Sequence, residues 1–167
     1  MTKNDSDDLL SLFHLSTGDL IDQTLALLGQ ENSPHYKCRD YLRNASRSGV
    51  SADARAKVAR WLADIVDYFS LQRQTVAVAM SYVDIFLSLR NVTAASEARR
   101  SVTKFQLVAL VCLSIATKSL EIAHLDIETL VSVSQDCYCA DDIREMEMIV
   151  LNALQWRLCA QTSLPIA

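Results

Sequence analysis

"KFQLVALVCLSIATKSL", residues 104–120, is apolar on nearly every side when wound as a helix. A helix with no broad polar face must be surrounded by others rather than lie on a surface. Gln106 and Ser114 interrupt it, and the apolar run from Phe105 to Ala116 is too short to span a bilayer. The stretch therefore predicts a central helix. Thr103, with Gln106 three residues later, predicts its cap.

The neighbours are found on both sides. In "RAKVARWLADIVDYF" (55–69), Val58, Trp61, Leu62, Ile65, Val66 and Phe69 fall at the three-and-four spacing of a buried stripe, predicting a helix over 52–70. Val76, Met80, Val83 and Leu87 predict a second over 74–89. Ile143, Met146, Val150 and Leu154 predict one over 140–155, after a short helix over 126–134. "NVTAASEARRS" (91–101) reads as a polar loop, and its Arg99 and Arg100, with Lys104, as solvated. The glycines are Gly18, Gly29 and Gly49 and the prolines Pro34 and Pro165, so none lies between Val50 and Leu164. A β-rich domain would need turn residues there. The fold class is all-α: five helices around the third.

The first 50 residues hold the breakers and form a helical extension. "DDLLSLFHL" (7–15) and "GDLIDQTLALLG" (18–29, closed by Gly29) read as short amphipathic helices, and Ser33–Pro34 starts "SPHYKCRDYLRN" as a third. The first 15 or so residues are expected to fray. The compact unit is expected over 51–162, and 163–167 as a tail or linker.

At 167 residues and a net charge of −4 the chain is one domain's worth of acidic protein, an unpromising binder of nucleic-acid phosphates. The N-terminus is acidic and lacks the apolar core of a secretory signal. Five cysteines at irregular spacing fit reduced thiols. These features predict a protein of the nucleus or cytoplasm, without membrane or direct nucleic-acid partner. "CYC" (137–139) and His124 lack the further ligands of a metal site, so no metal or other cofactor is expected.

Charges on apolar faces carry the functional reading. Arg55 lies on the stripe of Val58 and Leu62, and Asp84 on that of Met80 and Leu87. Each is costly to bury alone, but facing each other across two helices they compensate as a bidentate structural pair. Lys118 ends the central helix, and Glu147 sits between Ile143 and Val150. Spacing alone makes these a second intramolecular salt bridge.

"ARAKVARWLADI", "AMSYVDIFLSL", "KFQLVALVCLSIATKSLE", "DCYCADDIREMEMIVLNALQW" and "RLCAQT" together resemble the N-terminal box of the cyclin family, with Arg55, Asp84, Leu107, Lys118 and Glu147 at its signature positions. "HYKCRDYL" is similar to the helix preceding the box in G1-type (D-type-like) cyclins, and "AQTSLPIA" to the linker entering a second box. The resemblance implies a non-catalytic subunit that binds and activates a cyclin-dependent Ser/Thr protein kinase in cell-cycle control. It leaves Arg55–Asp84 structural but turns Lys118 and Glu147 toward the kinase, with Leu151, Trp156 and Leu158 as further contacts. Ser119 stands where an aromatic residue is common. The family's substrate-docking patch is matched by Val58, Trp61, Asp64 and Gln106, with Lys57 in place of an apolar floor residue. Docked substrates or inhibitors would be peptides. The alternatives are a cyclin-fold scaffold and a transcription-factor-like protein, neither activating a kinase.

Overall fold

A computed structural model describes residues 21, 22, 25, 38, 40–42 and 49–158. The chain divides into two compact units, Met1–Lys37 and Cys38–Ala167. In the first, Ile21, Asp22 and Leu25 are helical, within the helix expected over 18–29. The helix expected over 7–15, the Gly29 cap, the Ser33–Pro34 start and the tail lie outside the described residues.

The second unit is all-α among its described residues. Its helices are α1 (Ala52–Tyr68), α2 (Gln74–Ser88), α3 (Thr93–Arg100), α4 (Val102–Leu120), α5 (Ile127–Val133) and α6 (Ala140–Ala153). The expected central helix is α4, which packs against α1, α2, α3 and α6, most extensively against α2. Every residue from Leu107 to Thr117 is buried. By length and composition alone α4 could cross a membrane, but 67% of its most apolar window is buried inside the protein. Its apolar surface is spent on the core, with Phe86 of α2, Leu62 of α1 and Ile143 of α6 also buried.

Four expectations need correction. Residues 93–100 are a helix, not a loop. Alanine, glutamate and arginine favour helix locally, and Ala95 and Ala98 are fully buried where α3 packs against α2 and α4. The buried face of this helix is alanine, so no large apolar residue marks it in the sequence.

Arg99 is not solvated. It is half-buried, and its guanidinium donates to the carbonyls of Leu87 and Leu89 at the end of α2, the latter at 2.9 Å. Helix ends leave carbonyls without partners, and a cation there also meets the negative end of the helix dipole. Burial lowers the Arg99 pKa, helped by the like charges of Arg100 and Arg90.

The cap of α4 is Ser101 rather than Thr103. The Ser101 N–H donates to Glu97 O at 3.0 Å, closing α3. Its hydroxyl accepts the Lys104 N–H at 3.3 Å, opening α4. One serine with extended backbone thus joins two helices.

Upstream, Cys38, Asp40, Tyr41 and Leu42 are not helical, although a helix is expected through them. Asp40 Oδ1 accepts the Leu42 N–H at 3.1 Å. An aspartate bonded to the backbone two residues on builds a turn and competes with the helical ladder.

Candidate functional site

Arg55 comes from the first turn of α1, where Ser51 accepts the Ala54 N–H at 3.1 Å and fixes the helix start. Asp84 comes from α2. Arg55 Nε donates to Asp84 Oδ1 at 2.9 Å and Nη2 to Oδ2 at 2.5 Å, a two-point match of planar groups. Their side chains are 34% and 23% exposed, so the pair is half-buried rather than buried as expected. Two further groups converge on Asp84. The Tyr41 hydroxyl donates to Oδ1 at 2.8 Å, and the Cys38 thiol to the Asp84 backbone carbonyl at 3.2 Å. The hydrogen bond to Asp84 raises the Arg55 pKa above its ordinary value. Burial, then the Asp84 charge, pushes Tyr41 upward and Cys38 up to about 11. The set converges on Asp84 from three directions and reads as a structural cluster.

Lys118 and Glu147 make a different arrangement. Lys118 lies in the last turn of α4, and α6 packs beside it carrying Glu147. Lys118 Nζ meets Glu147 Oε1 at 2.5 Å, with side chains 45% and 21% exposed. An ammonium has three donors and a carboxylate two acceptor oxygens, so one contact between them leaves capacity toward solvent. Ser119, the next residue, spends its hydroxyl on Ile115 O at 2.9 Å. The neighbours in sequence are apolar and exposed: Leu120 at 44% and Met148 at 50%.

Glu121 was not legible as part of this corner. Its Oε1 accepts the Gln72 N–H at 2.9 Å and the Thr75 hydroxyl at 2.5 Å. Those bonds tie the residue after α4 to the α1–α2 connection and to the first turn of α2, at the end of the helix that carries Lys118. No spacing rule signals a carboxylate whose partners are 46 and 49 residues away.

The other expected contact residues separate. Trp156 is 58% exposed, and its Nε1 donates to Asn152 Oδ1 at 3.3 Å. Leu151 is 8% exposed and belongs to the core, so it presents little surface. Leu158 is half-buried, and its carbonyl accepts the Tyr82 hydroxyl.

In the residues of the docking patch, Val58 is a core residue and Trp61 is half-buried against the core. Asp64 is exposed and Gln106 half-buried. Lys57 is 71% exposed and its ammonium meets Asp53, one turn back on α1, at 2.8 Å. Its charge is held along the helix, in water.

Residues 24–159 match the family description "Cyclin, N-terminal domain". Among similar proteins, "Cyclin-B2-2" of Arabidopsis thaliana is 35% identical over 75% of this chain and 27% of its own length. "Cyclin-D2-2" of Oryza sativa subsp. japonica is 30% identical over 84% of this chain and 38% of its own length. "Cyclin-A2" of Xenopus laevis is 30% identical over 69% of this chain and 26% of its own length. The chain thus spans about a quarter to two fifths of these relatives.

Proposed function

This chain belongs to the cyclin family, and from that premise we propose that it is a regulatory subunit that binds and activates a cyclin-dependent Ser/Thr protein kinase. One observation carries the reading. Lys118 and Glu147 stand together, incompletely covered, at the surface where α4 meets α6, and Leu120 and Met148, close to them in sequence, are exposed. A pair serving only each other at a surface contributes about 0–1 kcal/mol and gives no reason for apolar neighbours in water. A pair placed to meet a partner's main-chain groups, with apolar side chains exposed on the same two helices, has features of an interface centre.

The mechanism is a population shift. A kinase of this class works only when its catalytic lysine is paired with the glutamate of its C-helix, which aligns the ATP phosphates. A rigid partner that binds only the state with that helix inward moves the equilibrium by its differential affinity. Rigidity is what this fold supplies: α4 is packed on several sides, and its C-terminal end is pinned through Glu121. No catalytic residue of its own is required.

The test measures binding of the chain to a panel of cyclin-dependent kinases, with phosphorylation of a standard substrate, beside the Lys118→Ala and Glu147→Ala variants. Binding and activation by the natural chain, lost in both variants at unchanged melting temperature, is the expected result. Binding without activation would make it a cyclin-fold scaffold. Failure to bind any kinase, together with salt-sensitive DNA binding, would make it transcription-factor-like.

A further inference from the structure

Between α5 and α6 the chain makes a sharp connection whose side chains alternate. Cys137 and Cys139 are exposed, whereas Tyr138 between them is 5% exposed. The Tyr138 hydroxyl donates to Thr103 O in the first turn of α4 at 2.7 Å, pinning the connection from its middle. Gln135 and Asp136 lead into it at φ of 55° and 56°, and the Cys137 N–H closes the turn on Ser134 O at 3.2 Å. Cys139 is then held as the cap residue of α6, its N–H donating to Asp142 Oδ2 at 3.0 Å. Two exposed thiols thus flank a buried anchor, the Cys139 sulfur also accepting the Asp142 N–H in the capping box of α6.

We propose that Cys137 and Cys139 form a dithiol site that captures a trivalent arsenical, or a like thiol-seeking metalloid centre, through both sulfurs. Residues two apart have Cα atoms no more than about 7 Å from each other, so one bridging atom reaches both side chains. A direct disulfide fits less well, because it draws the sulfurs to about 2.05 Å and restricts the torsion between them. A bridging atom enlarges the ring and relaxes both demands. A zinc site would need further ligands, and among the described residues no three His, Cys, Asp or Glu side chains converge to hold a metal ion. In the reaction with an arsenic(III) oxide, R–As=O, two S–H bonds break and two As–S bonds form. The oxygen leaves as water with both thiol protons, arsenic stays trivalent, and the adduct is neutral. Soft thiolate-type sulfur is the ligand such centres prefer.

The probe is phenylarsine oxide, added to the reduced full chain and read by intact-mass spectrometry with counting of free thiols. The expected adduct is one arsenical per chain, blocking two thiols, resistant to excess glutathione and released by dithiothreitol. Cys137→Ser and Cys139→Ser should each lower the glutathione-resistant adduct by about tenfold or more. Serine also caps helices well, so the second variant keeps α6 intact, and its melt verifies that. Cys38→Ser should change nothing. Retention of the adduct by both single variants, its location on other cysteines, or failure of the natural chain to form it would overturn the proposal. None of these outcomes depends on kinase binding.

Discussion

Arg55–Asp84 and Lys118–Glu147 both link two helices, and each has a nitrogen–oxygen distance of 2.5 Å. They differ in everything around that contact. Asp84 also receives the Tyr41 hydroxyl and a second nitrogen of Arg55, and its backbone carbonyl takes the Cys38 thiol. Lys118 and Glu147 meet at one point, with nearly half of the lysine side chain in water. The first cluster spends both Asp84 carboxylate oxygens and its carbonyl inside the fold, and the second keeps more of its capacity outside it. A closed cluster should register in stability and an open one in association.

The largest effect tests the open pair. If Lys118 and Glu147 meet a kinase, truncating either should cost about 2–5 kcal/mol of binding, much of it from partner groups left unpaired. The melting temperature should stay within the change expected for losing a surface pair worth about 0–1 kcal/mol. Calorimetric titration against the best-binding kinase, beside a thermal melt, reads both quantities. Equal losses of affinity and stability would erase the distinction between the two pairs.

For the closed cluster the expectation is reversed. Removing one partner of a fully buried pair costs about 3–5 kcal/mol, and the partial exposure here reduces that to about 2–3 kcal/mol for Asp84→Ala. Arg55→Ala should cost less, because Tyr41 still donates to the remaining carboxylate. Urea unfolding of both variants gives the order. An Arg55→Ala loss larger than that of Asp84→Ala would mean that Asp84 is not the hub.

Tyr41→Phe sharpens the same point at smaller scale. It removes one hydrogen bond to a charged acceptor and leaves the ring, so about 1–2 kcal/mol should be lost. In the Asp84→Ala background the same substitution should cost nearly nothing. That coupling is the signature of a shared partner, and additive losses would show that Tyr41 acts elsewhere.

Both pairs lie on legible helix stripes, which is why sequence periodicity finds them. Arg55 and Asp84 occupy positions that only apolar residues should fill, and two misplaced charges of opposite sign point to each other. The surroundings are less legible for physical reasons. Tyr41 and Cys38 reach Asp84 from non-helical backbone 43 and 46 residues away, where no period carries information. Helix α3 escapes because its buried face is alanine, which a hydropathy pattern scores as weak. Arg99 escapes because an arginine capping carbonyls has the same sequence appearance as one in water. The kinase-facing reading of Lys118 and Glu147 comes from resemblance alone, since spacing gives only a salt bridge.

The smallest expected effect concerns how the helices stop, and it bears on both pairs because α1 carries Arg55 and α6 carries Glu147. The predicted ends of these helices, 70 and 155, overrun the observed ends at Tyr68 and Ala153. Helix ends are usually marked by a glycine in left-handed conformation, and this region has none. The chain makes the same motif without it. At the end of α1, Leu71 N–H reaches back to Val66 O at 2.9 Å and Ser70 N–H to Asp67 O at 3.1 Å. At the end of α6, Trp156 N–H reaches Leu151 O and Gln155 N–H reaches Asn152 O, each at 3.0 Å. The residues that turn are Ser70 at φ 54° and Gln155 at φ 54°, each bearing a Cβ that glycine lacks. Left-handed backbone costs a residue with a side chain about 1–2 kcal/mol, offset in part by the greater freedom glycine would have when unfolded. Ser70→Gly and Gln155→Gly should therefore each stabilise the fold by about 0.5–1 kcal/mol, a small rise in melting temperature. Neither should alter kinase affinity, because the helices and both pairs stay where they are. A fall in stability for Ser70→Gly would mean that α1 ends differently. Weakened kinase binding by Gln155→Gly at normal stability would mean that the strained turn before Trp156 belongs to the open surface rather than to the scaffold beneath it.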